Sequence, residues 1–200
     1  MVLTRTLRRP LPGGMEVLTR RSYEILFVPE SGGFRVDGRL VGVEVEAPPQ
    51  LQALALLERR RPDADMFPMR LDTRGNLQPM GAVGRSEEVR QAGLNVGMTV
   101  ESLALEPYDR NQAKQFARSF EKRSVRTAWP EDLFSPAPGS REETQTVPLP
   151  NGGRGTVRVN IDARTHSASG LLGSFFRRVT TDLEGDSRIT EETWTLADKS

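Results

Sequence analysis

The sequence predicts an α+β fold: a strongly bent antiparallel β-sheet, with an open half-barrel as its limiting form, and about three helices packed on one face. Three observations support this. Alternating apolar and polar runs, broken by Gly and Pro at hairpin spacing, occupy both ends of the chain. The period changes to that of a helix over residues 49–61 and again over 86–124. A proline-rich connector carrying large apolar side chains then leads back to strands. One domain over residues 1–200 is the simplest division, with N-terminal hairpins in 2–47, helices in 49–61 and 86–124, and C-terminal hairpins in 144–196.

Each element has its own signal. VLTRTLRR and MEVLTRRSYEILFV flank PLPGG, and ESGG separates the second run from FRVDGRLVGVEVEAP, which makes three or four antiparallel strands. In PPQLQALALLERRRP, Pro49 suits the first turn of a helix; Leu51, Leu54, Ala55 and Glu58 share one face, and Pro62 ends the pattern. FPMRLDTRGNLQP reads as a small hairpin in which Gly75 is free to take positive φ. Ser86 caps a helix with an apolar stripe of Val89, Ala92, Val96, Val100 and Leu103. Gly93 and Gly97 weaken it by about 1 kcal/mol each relative to alanine. Asp109 caps a second helix, with Ala113, Phe116, Ala117 and Phe120 on its buried side.

The connector TAWPEDLFSPAPGS holds Trp129, Leu133 and Phe134. Leaving a large apolar side chain in water forfeits about 1.5–3 kcal/mol, so this segment is expected to dock. SREETQ is the most linker-like stretch, and TVPLPNGGRGTVRVNIDAR and SFFRRVTTDLEGDSRITEETWTL supply the closing hairpins.

Composition narrows the function. The 28 basic and 27 acidic residues leave a formal charge of +1, so no global field draws the protein to nucleic acid or to an anionic membrane. Lysine occurs only at Lys114, Lys122 and Lys199, the other 25 basic residues being arginine. A GC-rich genome explains such a bias better than function does. The absence of cysteine removes disulfides, thiol nucleophiles and cysteine-ligated metal together, and leaves the compartment open. No apolar run approaches the roughly 20 residues of a membrane span, so a soluble chain is expected. Strand-like alternation begins directly after Met1, the pattern of a mature domain or of a start downstream of an export signal. Under that second reading the protein is periplasmic, and otherwise cytoplasmic.

No motif specifies a reaction. His166 is the only histidine and lies near Ser167 and Ser169, but no serine sits in a nucleophile-elbow glycine pattern. LDTRGN interrupts the Asp-Thr-Gly triplet of an aspartic protease, and NGGRG lacks the Lys-Ser/Thr of a phosphate loop and leads into a strand. Adjacent glutamates Glu191 and Glu192 point to opposite faces of a strand, so they cannot flank one substrate. No catalytic residue, metal site or cofactor is expected.

The sharpest candidate surface is the last hairpin. A two-residue turn at Gly185-Asp186 would set Phe175 opposite Leu196, Arg177 opposite Trp194, Val179 opposite Glu192 and Leu183 opposite Arg188. Phe175, Arg177, Val179, Trp194 and Leu196, with Trp129 from the connector, then form a candidate apolar floor with a charged rim, and Arg177 lies over Trp194. A second candidate is the basic helix face of Lys114, Arg118 and Lys122, suited to an acidic partner.

The order of elements is similar to the helix-covered half-barrels that carry lipids or lipoproteins across the bacterial envelope, a likeness of architecture that transfers no residue. The expectation is a non-enzymatic domain that binds an apolar or amphipathic small molecule. A hydrolase using carboxylates, Ser167 or His166 is the enzymatic alternative, and a protein-interaction module is the third. The sequence does not specify the oligomeric state.

Overall fold

The computed structural model describes residues 1–11, 14–61, 66–78, 129–148, 154–183 and 186–199. These form one eight-stranded antiparallel sheet with one short helix. The strands are β1 (Val2–Pro10), β2 (Glu16–Glu30), β3 (Gly33–Glu46), β4 (Met69–Leu71), β5 (Gly139–Pro148), β6 (Arg154–Thr165), β7 (Leu172–Leu183) and β8 (Asp186–Ala197). A 3-10 turn at Pro49–Leu51 runs into α1 (Gln52–Arg60). The strand order is β4-β3-β2-β1-β8-β7-β6-β5. The pairing of β1 with β8 therefore joins the two ends of the chain in one sheet.

The expected α+β layout with about three helices is corrected to a mostly antiparallel sheet with a single short helix among the described residues. The alternating runs extend further than isolated hairpins require: β2 is 15 residues long and β3 is 14. Long strands joined by tight turns pair in sequence and use most of the described chain. The helical pattern over 86–124 lies outside the described residues. SREETQ is likewise no linker, because it forms most of β5 at the sheet edge. Its exposed Glu142 and Glu143 are the charges that guard an edge strand against pairing with another chain.

One face of the sheet is apolar. Leu3 and Leu7 of β1, Val17, Tyr23 and Ile25 of β2, Phe175 of β7, and Trp194 and Leu196 of β8 are buried there. In β3 the alternation changes phase. Ser22 pairs with Gly42 and Tyr23 with Leu40, so Val41 is an extra, bulged residue that is exposed. The bulge lets Val36 and Leu40 on one side of it and Val43 and Val45 on the other all reach the same face, where the first pair joins one apolar cluster and the second pair another.

This face carries two clusters. The smaller packs Leu51 and Ala55 of α1 on Val17 and Val45. Residues 52–60 are good helix formers without Gly or Pro, and Arg61 is extended (ψ 120°), as expected before Pro62. Arg21 of β2 fixes the helix C-terminus: its buried guanidinium donates to Glu58 O at 2.7 Å and to Arg61 O at 3.2 Å. Glu58 O otherwise receives only the long bond from Arg61 N at 3.4 Å, and both carbonyls carry the negative end of the dipole, so a cation is the favoured cap.

The larger cluster lies toward the other end, under the connector. Leu133 and Phe134 are fully buried, as the sequence predicts, and the backbone ties the segment to both sides: Leu77 N donates to Glu131 O and Leu172 N to Phe134 O. Phe134 meets Phe27 edge-on at 5.4 Å. A side chain at Gly38 would collide with the Phe67 ring, which packs on the adjacent Tyr23 at 5.6 Å.

Candidate functional site

Between the two apolar clusters, the inner face carries charge. Alternation places Arg5 inward with Leu3 and Leu7, and antiparallel pairing sets it opposite Trp194 of β8. In β7, Phe175 is opposite Trp194 and Arg177 opposite Glu192. Glu192 is thereby held between two guanidiniums: Arg5 Nη2 donates to Oε1 at 2.7 Å, and Arg177 Nε donates to Oε2 at 3.0 Å, with Arg177 Nη2 on the same oxygen. Its side chain is buried.

Aromatic rings surround this triad. Phe67, Tyr23, Trp129, Trp194 and Phe175 form a chain with successive centroids 5.6, 6.4, 6.5 and 5.6 Å apart. The Arg5 guanidinium lies 5.9 Å from the Trp129 ring and 5.7 Å from the Trp194 ring, and that of Arg177 lies 5.2 Å from Trp194. Desolvated contacts of this kind contribute about 2 kcal/mol. Arg141 of β5 extends the row, with its guanidinium 5.6 Å from the Phe175 ring and 2.8 Å from Asp132 of the connector.

Of the residues singled out from sequence, Phe175, Trp194 and Leu196 are core, while Arg177, Val179 and Trp129 are half-buried on the same face. Their register differs from the expectation by two residues. The closing pair is Leu183 with Asp186, so Arg177 stands opposite Glu192 rather than Trp194, though its guanidinium still lies over the Trp194 ring, and Val179 stands opposite Thr190 rather than Glu192. The expected register would set Glu192 against an apolar valine. The observed one opposes Arg177 with Glu192 and Arg178 with Glu191. A shift of two keeps every side chain on its face, and only the partners change.

Lys114, Arg118 and Lys122 lie outside the described residues. His166 is exposed at a turn, where its Nε2 donates to Leu196 O at 3.1 Å and its backbone carbonyl accepts from Gly170 N at 2.8 Å. Its ring thus ties a loop to the sheet. Among the described residues no three His, Asp or Glu side chains gather as a metal site, and no helix is long and apolar enough to cross a membrane. The sequence reading singled out neither Arg5 nor Arg141, and it placed Glu192 on this face without giving it a role. The signal for Arg5 was available, since in VLTRTLRR it alternates in phase with Leu3 and Leu7.

Comparisons with family models, curated proteins and solved structures return no match for this chain.

Proposed function

We propose that the inner face of the sheet binds an amphipathic small molecule, and that the domain is a binding protein rather than an enzyme. The observation that carries this reading is a continuous change of chemistry along one face. Ile161 of β6 stands beside Arg177 of the triad, and the next rows of β6 and β7 present Val159 beside Val179, then Val157, all of them half-buried. Successive rows lie about 7 Å apart, so this strip offers well over one nanometre of apolar contact leading away from a charged group. Binding sites of this kind are mostly apolar with a few placed polar groups.

Native mass spectrometry of the purified protein, with extraction of what co-purifies, tests the proposal. The expected result is a stoichiometric apolar or amphipathic adduct. Trp129 and Trp194 are the two tryptophans of the chain, so their emission reports on this site alone. A clean apo mass together with no saturable emission change on titration with ten-carbon amphiphiles would overturn it.

A further inference from the structure

Three buried donors of one cluster on the inner face lack partners among the described residues. Arg5 Nε, Trp129 Nε1 and Trp194 Nε1 have no hydrogen-bond acceptor among the described residues. They belong to three groups in mutual contact, with the Arg5 guanidinium 5.9 and 5.7 Å from the two indole rings and those rings 6.5 Å apart. Each unsatisfied buried donor has given up its hydration with nothing in return, and natural proteins seldom gather several without a bound group to receive them.

The chemistry of the missing group follows from what is present. A guanidinium Nε–H and an indole N–H only donate. An ammonium offers them no acceptor, and a hydroxyl offers a single oxygen with no charge to match the guanidinium. An anionic head made solely of acceptor oxygens fits, and the positive charge of Arg5 favours it in a desolvated setting. Trp194 is fully buried, and Trp129 is the half-exposed member, so the head would enter beside the Trp129 ring.

We propose that Arg5, Trp129 and Trp194 form the receptor for the anionic head of a single-chain amphiphile, a carboxylate or a phosphate, whose tail lies along Ile161, Val159 and Val179. This rests on the binding role proposed above and specifies its ligand class.

Tryptophan emission titrations with decanoate, decyl phosphate and 1-decanol test it. The expected result is that at least one anion binds at least ten-fold more tightly than the alcohol, and the tighter of the two identifies the head group. Arg5→Met should abolish that preference. Should that variant fail to fold, Trp129→Phe, which keeps a ring but removes one donor, should weaken anion binding several-fold and leave Trp194 as the reporter. Equal binding of anions and alcohol would overturn the head receptor and leave the binding role intact. No saturable change with any of the three would overturn both.

Discussion

Glu191 and Glu192 are neighbours on β8, and each sits between one arginine of β1 and one of β7. Glu192 faces inward between Arg5 and Arg177, with side-chain exposures of 3, 11 and 18%. Glu191 faces outward between Arg8 and Arg178, with exposures of 16, 50 and 50%. The outer set continues as a ladder, Arg8 Nε also lying 2.8 Å from Glu16. The same charges in the same order thus occupy both faces of one sheet. What differs is the dielectric around them. Outside, water and salt screen the charges, and such pairs contribute little. Inside, each charge has lost its hydration and must be compensated by its partners, which makes the inner triad costly to break without making it an efficient source of stability.

The largest expected effect follows from that asymmetry. Glu192→Ala should destabilise the protein by about 3–5 kcal/mol, because it leaves two guanidiniums buried beside each other. Glu191→Ala should cost about 0.2–1 kcal/mol. Urea denaturation of the two variants measures both. Similar losses would mean that the inner triad is hydrated and would remove the contrast.

A sharper test replaces the whole inner triad. With Arg5→Met, Glu192→Leu and Arg177→Met combined, the desolvation cost goes along with the attraction, so stability should match the parent or exceed it by about 1–4 kcal/mol. The same variant should lose all preference for decanoate over decanol. Retained stability with lost selectivity would assign the inner charges to ligand recognition. A collapse in stability would assign them to folding.

Salt separates the two faces again. At 1 M ionic strength the screening length falls to about 3 Å. The penalty of Glu191→Ala should shrink toward zero there, while that of Glu192→Ala should persist. Urea midpoints at low and high sodium chloride read this directly.

How much of this was legible in advance depended on parity. The strands of both ends and the docked connector follow from alternation and from apolar content, which are properties of short segments. The inward set of the last hairpin survives an error of two in register, because an even shift preserves faces. The identity of the partners does not. Whether Arg177 meets Trp194 or Glu192 turns on which pair closes the hairpin, and that is decided by opposing charges on both faces at once. Arg5 joins the site only through the pairing of β1 with β8, a contact between positions 187 residues apart. Likewise, the phase change at Val41 is written in RLVGVEVE, but it becomes meaningful only when Ser22 and Tyr23 supply the opposite strand. Of the two helical periods, that of 49–61 is realised in α1 and that of 86–124 lies outside the described residues, and the described fold is built instead from long strands that pair with their neighbours.

The smallest effect concerns a carboxylate held without a guanidinium clamp. Asp72, at the turn after β4, accepts from the backbone N–H groups of Arg74 and Asn76, each at 2.8 Å, and from the Asn76 side chain. Gly75, at φ 84°, lets the chain curl so that these donors converge. The backbone N–H of Asn76, ahead of the other donors, holds the Asp72 carboxyl below its ordinary range. A native value below the unfolded one means that the unfolded chain binds the proton first as the solution is acidified. The stabilisation is therefore present above the unfolded value of about 3.9 and is lost as pH falls through the depressed native value. Asp72→Asn keeps one acceptor oxygen and discards the charge. It should be slightly less stable than the parent at pH 7, and the difference should disappear in strong acid. Because fixed backbone dipoles are in direct contact with the carboxylate, the pH 7 difference should also survive 1 M salt, unlike that of Glu191→Ala. Paired urea titrations at neutral and acid pH measure this, and a difference independent of pH would show that the charge of Asp72 plays no part in holding the turn.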